Sequence, residues 1–522
     1  MTGPGGAAAG RRGLERLRGA RVAVWGTGVE GTGAIALARS VGAEVTVVGD
    51  PRVAGDSRVA GDCGVAGDSR VAGASGVAGD SRVAGGPVLA PSVLADGRFD
   101  VVVRSPGVSR YRPELLAASG AGAVVTTLTA IWLEDFGDGP VIAVTGSKGK
   151  TTTATLAAAA LRAAGRRVAV AGNMGRPVAE LYGIAPPGAG AHGAGPAGTG
   201  ADAVVIEVSS FQAAEVTVSP RVGVLTLLAP DHLDWHGTYE RYVADKLNLF
   251  AHRPGSVVAV NATDPPAWAA AGRFAGRTPY GRPGDPIGVG EGPGGDLQVT
   301  VAGRPYLAAG ELEGTAFGLR GRHNLVNLCG ALAATQALGG DVPEPASLLG
   351  TLDATPALGS RLRTVAAAGG LELVDDALAS NPAGVVAALE TFAGRRLCLI
   401  AGGADRGVPM APLVDALASL RPEPSVVVLG PAGRRLAGEL AARCPGLACR
   451  AAESVEEAVH VAADALGGPG VVLFSPGAPT PREDGSYVDR SAAFAAAARA
   501  CLGPGAGPGR GRGAADPGVR PC

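Results

Sequence analysis

Lys150 and Thr151 carry the clearest chemistry in this sequence. They close the turn Gly146-Ser147-Lys148-Gly149-Lys150-Thr151, which joins an apolar run, 141–144, to an alanine-rich stretch, 152–164. Glycines let backbone N–H groups close on phosphate oxygens, and the positive end of a following helix faces the same anion. In such a cradle Lys150 reaches the outer phosphates and the Thr151 hydroxyl ligates magnesium, with Thr152 beside them in the first helical turn. The spacing is G-x-x-G-K-T, shorter than the common G-x-x-x-x-G-K-T. It predicts an ATP site, against the alternative of a chance turn in a glycine-rich chain.

Other candidates lie on either side. Glu207 ends a second apolar run, 203–208, and an acid there, downstream of a phosphate loop, is what a second magnesium ligand requires. His232, one of six histidines, follows the run 222–228. Open α/β sheets place their chemistry just past such strand ends; a lone surface histidine is the alternative. Lys246 lies on a helical stretch, where an ordinary solvated lysine is the default and its sequence exposes nothing more. Asn324 and Asn327, in a segment that opens a helix, offer two amides able to clamp an adenine or a sugar. Near the start, Gly26-Thr27-Gly28-Val29-Glu30-Gly31 is a G-x-G-x-x-G turn between a strand at 20–25 and a helix at 32–41. A nucleotide diphosphate is its natural guest, although a structural turn would read the same. Asp50 stands where an acid often holds a ribose or a base edge.

The elements needed to position these residues alternate along the chain. Strands are predicted at 44–48, 101–103, 124–127, 167–171, 371–374, 396–400, 426–429 and 471–474, with helical stretches between many of them. That alternation predicts α/β sheets. At 522 residues the chain exceeds one hydrophobic core. The expected domains are 19–137, 138–355 and 356–502, after a flexible leader at 1–18. A repeat with a period of six, variations on VAGDSR, fills 53–86 and is expected to be a low-complexity surface loop rather than a β-helix. The stretches 186–200 and 503–522 are expected to be a mobile loop and a disordered tail, and 281–304 a glycine-rich meander.

Composition narrows the function classes. Hydrophobic residues make up 46% of the chain but aromatic ones only 4%, so alanine and valine must fill much of the interior. The net charge of −1 and the lack of a basic stripe argue against nucleic acid as a partner. Seven scattered cysteines show no metal-ligand spacing and no disulfide framework, which suits a reducing cytoplasm. No run approaches the length a membrane span needs. A cytoplasmic protein with no membrane partner is expected.

Taken together, VTGSKGKTTT, GNMG, EVSSFQ, PDHLDWHGT, YVADKLNL, RHNLVN, GGADRG and SPGAP resemble the Mur ligase family over roughly residues 20–500. Within that family they look like the branch that adds glutamate to UDP-N-acetylmuramoyl-L-alanine in peptidoglycan synthesis. The resemblance implies three domains: a Rossmann-like UDP-binding domain, a central P-loop ATPase-like domain and a Rossmann-like C-terminal domain. It implies that ATP phosphorylates a substrate carboxylate, and that an amine attacks the acyl phosphate to give an amide, ADP and phosphate. Lys150 would steady the γ-phosphate within the ATP-binding turn Gly146, Ser147, Lys148, Gly149, Lys150, Thr151 and Thr152. Thr151 and Glu207 would bind one magnesium. His232 and a carbamylated Lys246 would hold the second. Asn324, Asn327, Arg361 and Asp376 would hold ATP. Gly26, Thr27, Gly28, Gly31 and Ser105 would hold UDP, with Asn173 and Ser209 on the muramoyl part. Ser380, Arg406, Thr480 and Tyr487 would grip glutamate, one cation facing a dicarboxylate.

Departures from the D-glutamate-adding pattern point to L-glutamate. Lys148 stands where those enzymes usually carry Asn, and Asp376-Ala377-Leu378-Ala379-Ser380-Asn381 lacks their lysine. The segments Trp25–Gly31, 129–133 and 234–237 also look more like the L-glutamate branch, whose implied pathway partner is an epimerase that later inverts the glutamate. The alternatives are the D-glutamate ligase, a folylpolyglutamate synthetase, a ligase for another peptide position, and a nucleotide-binding regulator without catalysis. The N-terminal G-x-G-x-x-G domain speaks against folate, and intact Lys150, Thr151, Glu207, His232 and Lys246 speak against a regulator.

Overall fold

Short runs of valine, isoleucine and alanine form the framework, because a parallel strand covered on both faces needs no polar side. A computed structural model of the chain describes residues 12–49, 87–174, 176–183 and 200–503. The expectations for Asp50, the repeat at 53–86, the loop at 186–199 and the tail at 504–522 fall outside them. The described chain divides into two compact units, one of residues up to 287 with 327–347, the other of 288–326 with the residues from 348 onward.

The first unit holds two sheets. In one, β1 (Arg21–Trp25), β2 (Glu44–Val48), β3 (Val101–Arg104) and β4 (Val124–Thr126) lie in the order β2-β1-β3-β4. All pairs are parallel. The order reverses between β1 and β3, so the turn after Trp25 and the turn after Arg104 open side by side. Such a switch point is where open sheets take ligands. Gly26 makes the closeness possible: its φ is +106°, and an added Cβ would sit 2.5 Å from Ser105 Oγ. The expected flexible leader is corrected for residues 12–18, while its residues 1–11 lie outside the described ones. Arg12–Leu17 is a helix with Leu14 and Leu17 buried, and Asp135 accepts hydrogen bonds from the Gly13 and Leu14 amides.

The other sheet of this unit has six parallel strands in the order β10-β9-β8-β5-β7-β6. They are β5 (Val141–Thr145), β6 (Val168–Gly172), β7 (Ala203–Glu207), β8 (Val222–Leu225), β9 (Val257–Asn261) and β10 (Arg277–Tyr280). Every residue of β5 and β7 is buried. The helix Lys150–Ala163 packs across β5, β6 and β7, burying Ala154, Leu156, Ala157, Ala158, Ala159, Ala160 and Leu161. Alanine thus replaces the missing aromatic bulk.

The second unit contains β11 (Ile287–Glu291), β12 (Leu297–Val301) and β13 (Arg304–Ala308), which form a three-stranded sheet. This corrects the expected glycine-rich meander. Its second sheet comprises β14 (Arg363–Ala368), β15 (Leu371–Asp375), β16 (Leu397–Gly402), β17 (Ser425–Leu429), β18 (Cys449–Ala452) and β19 (Gly470–Phe474), in the order β14-β15-β19-β16-β17-β18. Only β14 at the edge runs antiparallel. Among the described residues no helix is long and apolar enough to cross a membrane.

Candidate active site

β5 ends at Thr145 and the chain turns through Gly146 into the helix Lys150–Ala163. Gly146 has φ +148°, and an added Cβ would lie 1.9 Å from Thr226 Oγ1, so only glycine fits there. The turn is pinned from the neighbouring strand: the Ser147 amide donates to the Leu227 carbonyl at 2.6 Å, and the Thr226 hydroxyl donates to the Lys148 carbonyl at 2.5 Å. Ser147 Oγ accepts from the Ala229 amide and lies 2.5 Å from the buried Tyr242 hydroxyl. Lys150 Nζ donates to the Ser147 carbonyl at 3.3 Å. A rigid turn, a lysine and a helix N-terminus therefore face one place, as an anion site requires.

β7 is the neighbour of β5, and the register sets Val144 against Glu207. Consequently the Thr151 hydroxyl donates to Glu207 Oε2 at 2.7 Å, both residues being buried. Asn173, just past β6, donates from Nδ2 to Glu207 Oε1 at 2.9 Å. These hard oxygen donors suit magnesium, which binds few protein ligands and keeps the rest for water and phosphate. Among the described residues no group of three or more His, Cys, Asp or Glu could hold a metal. Thr151 and Glu207 alone would leave most of the coordination shell to the nucleotide.

Lys246 is not the solvated lysine its spacing allowed. It lies on the helix Tyr239–Leu247, is buried, and donates from Nζ to the Gly146 carbonyl at 2.7 Å. Burial first, and then the charge on Lys150, push its ammonium well below the usual lysine range. An ammonium cannot ligate a cation, so a metal role for Lys246 requires the carbamate that the resemblance implies. His232 has φ +50° at the start of the short helix Leu233–His236, with its ring 4.8 Å from that of Phe211. Asp231, to which the sequence analysis gave no role, is buried among charges. Its burial alone would raise the carboxyl, but His232, Lys148, Lys150 and Lys246 outweigh this and lower it. The proline-aspartate-histidine string was the available signal.

The other expected residues of this unit lie by both of its sheets. Asn327 Oδ1 accepts from the Thr153 hydroxyl at 3.3 Å. Ser209 caps the helix Ser210–Ala213 in a reciprocal capping box with Gln212. Gly26, Thr27, Gly28, Gly31 and Ser105 share the switch point of the first sheet, where Ser105 Oγ is buried without a hydrogen-bond partner. An orphaned hydroxyl beside a glycine turn fits a phosphate guest.

Sequence reasoning missed how the two sheets of this unit are joined. Arg104, buried at the end of β3, pairs with buried Glu215 at 3.0 Å. It also donates to the carbonyls of Val108 and Phe211 and stacks 5.1 Å from the Trp235 ring. His236, fully buried, sits 2.7 Å from Asp245 and 2.9 Å from Ser210 Oγ.

In the second unit, Asp376 follows β15. Its Oδ2 accepts from the Ser475 hydroxyl at 2.7 Å, and burial pushes the carboxyl up to about 7 against that bond. Arg361 is among the charges that oppose this rise. Ser380 precedes Asn381, the cap of the helix Pro382–Thr391. Arg406 is exposed in the turn after β16, beside the Asp405–Arg435 ion pair. Thr480 and Tyr487 are half-buried beyond β19. All four expected glutamate residues thus follow carboxyl ends of one sheet, on three segments, Thr480 and Tyr487 sharing the one after β19. Asn324 is also in this unit and donates from Nδ2 to the Arg320 carbonyl at 2.7 Å.

Two family descriptions match the chain: Mur ligase middle domain over residues 144–335, and Mur ligase, glutamate ligase domain over residues 360–477. A UDP-N-acetylmuramoyl-L-alanine--L-glutamate ligase from a Micromonospora species is 36% identical over 94% of this chain and 99% of its own. Its counterpart from Salinispora tropica is 37% identical over 94% of this chain and 100% of its own. The counterpart from Xanthomonas axonopodis pv. citri is 35% identical over 77% and 83%. Among solved structures, the UDP-N-acetylmuramate-alanine ligase of Thermotoga maritima matches with a TM-score of 0.52 at 19% identity, covering 91% of this chain and 98% of its own. That likeness speaks to the fold alone.

Proposed function

The chain belongs to the Mur ligase family, and on that premise we propose that it joins glutamate to UDP-N-acetylmuramoyl-L-alanine using ATP, with L-glutamate the isomer taken. The observation that carries the reading is the Thr151–Glu207 pair beside Lys150, at adjoining ends of β5 and β7. The muramoyl-alanine carboxylate attacks the γ-phosphorus and ADP departs, leaving an acyl phosphate. The glutamate amine attacks the acyl carbon, loses a proton, and phosphate leaves as the amide forms. Lys150 steadies the transferred phosphoryl group, and the Gly146–Gly149 turn fixes its position. Thr151 and Glu207 would hold a magnesium ion, which would supply charge neutralisation for the phosphates. His232 and a carbamylated Lys246 would hold a second.

The remaining assignments complete the proposal. Asn324, Asn327, Arg361 and Asp376 serve ATP, and Gly26, Thr27, Gly28, Gly31, Ser105, Asn173 and Ser209 serve the UDP-linked substrate. Ser380, Arg406, Thr480 and Tyr487 serve glutamate. The domains run 19–137, 138–355 and 356–502. Leu378, where D-glutamate enzymes carry lysine, and the names of the relatives support the L isomer. An epimerase acting on the product is then the pathway partner, and the cytoplasm, which holds ATP and UDP-linked precursors, is the compartment. The test is ADP release by the purified protein with UDP-N-acetylmuramoyl-L-alanine and ATP, offering L- and D-glutamate separately. Turnover with L-glutamate alone is expected. Turnover with D-glutamate alone would reverse the stereochemical reading, and none with either would remove the acceptor assignment.

A further inference from the structure

Glu30 lies in the first turn of the helix Val29–Ser40, which leaves the glycine turn of the first sheet, yet its carboxylate does not face solvent. Oε1 accepts a hydrogen bond from Gln212 Nε2, and Oε2 is sealed with no partner. Gln212 in turn accepts at its Oε1 from both the Ser209 amide, at 2.8 Å, and the Ser209 hydroxyl, at 3.0 Å. Ser209 follows Val208, whose carbonyl accepts from the Thr145 hydroxyl at 2.7 Å, and Glu207, which holds Thr151. An unbroken series of hydrogen bonds and single peptide steps therefore runs from the turn after β1 to the phosphate cradle after β5.

The segment between is held residue by residue. The Phe211 carbonyl accepts from Arg104 Nη2 at 2.6 Å, and its ring stacks on that of His236. Ser210 Oγ is held by His236. These bonds tie Glu30, Gln212, Ser209, Ser210 and Phe211 into one network, the path along which a displacement at Glu30 would reach Ser209. A half-satisfied sealed carboxylate is also a costly way to hold a glutamine, which local packing alone does not explain.

We propose that Glu30 is a positioning residue which, through Gln212, couples occupation of the turn at residues 26–31 to the geometry of the Glu207–Ser209 segment, so that the UDP-linked substrate and ATP each strengthen the binding of the other. This rests on the functional reading above. Coupling of this kind is a free energy shared by two sites and is reciprocal.

The test uses the full chain and calorimetry with a non-hydrolysable ATP analogue, with and without saturating UDP-N-acetylmuramoyl-L-alanine. Wild type is expected to bind the analogue about fivefold or more tightly when the substrate is present. Glu30→Ala and Gln212→Ala should each abolish that enhancement while leaving affinity for the analogue alone unchanged. Glu30→Gln, which keeps an acceptor for Gln212, should restore part of it, and the double alanine variant should be no worse than either single one. Full enhancement in Glu30→Ala, or no enhancement in wild type that turns over, would overturn the proposal and leave the functional reading intact. A wild type that neither binds the UDP-linked substrate nor releases ADP with it would overturn both.

Discussion

Thr151 donates its hydroxyl proton to Glu207 across 2.7 Å, from the first turn of a helix to the end of the adjoining strand. The contact requires that β5 and β7 be parallel neighbours in one register, so a single hydrogen bond reports the sheet order. Each partner also fixes the orientation of the other.

Removing that orientation should therefore cost turnover more than fold. Thr151→Ala and Glu207→Gln are each expected to lower ADP release by about 100-fold or more, the scale seen when one preorganised electrostatic group is lost. Circular dichroism should remain that of the parent. Activity within a few-fold of the parent in both variants would remove the pair from the reaction.

Lys246 makes a pH-dependent contribution whose sign can be worked out. Its folded-state pKa is depressed, chiefly by burial. Between that value and the ordinary one the unfolded chain holds more protons, so stability rises with pH. In metal-free, bicarbonate-free buffer, the melting temperature of wild type relative to Lys246→Met should climb as pH is raised through this window. Added carbon-13 bicarbonate should produce a carbamate resonance in wild type that Lys246→Met lacks.

Asp376 behaves in the opposite sense. Its carboxyl is raised to about 7, so the folded state holds the extra proton from about pH 4 upward, and stability falls as pH rises to 7. Asp376→Asn is expected to melt higher than the parent at pH 8, with the difference vanishing near pH 4. A constant difference across that range would show that the carboxyl is not held protonated.

Arg104 and Glu215 form a sealed ion pair, with side-chain exposures of 0% and 6%. Glu215 also has Arg110 3.4 Å away, so losing Arg104 leaves it partly paired, whereas losing Glu215 strands the sealed Arg104 at a cost of about 3–5 kcal/mol. Glu215→Gln should destabilise by that amount in urea, Arg104→Met by less, and the double variant should recover a large part of the Glu215→Gln loss. Simple additivity in the double variant would mean that the charges act independently.

Much of this arrangement could be read in the sequence because β5 and β7 are apolar on both faces and end in polar punctuation. Run length and composition then place Lys150, Thr151 and Glu207 at strand ends. The phosphate turn carries its own backbone demands, so it too is legible. What escaped the reading depends on partners distant in the chain. Glu30 meets Gln212 across 182 positions, and Arg104 meets Glu215 across 111. A lone charge in a sequence reads as solvated until its partner is known. The helix Arg12–Leu17 was missed for a related reason. At six residues it is too short to hold by itself, and the Asp135 carboxylate that receives its amides lies far along the chain. The strands β11–β13 were hidden by the glycines that make their turns.

The helix behind the phosphate turn has one more consequence. Four consecutive alanines, Ala157 to Ala160, are fully buried, so the helix is enclosed all round. Losing atoms there is nearly impossible, since only glycine is smaller and costs about 1 kcal/mol in a helix. Adding atoms costs about 1–3 kcal/mol for each overpacked position. Random mutation of this protein therefore injures the reaction centre by crowding rather than by hollowing. Single-base changes to an alanine codon almost all enlarge the side chain. A saturation library should show this helix as a band of intolerance to Val, Thr and Glu, in a region that an alanine scan would pass over in silence.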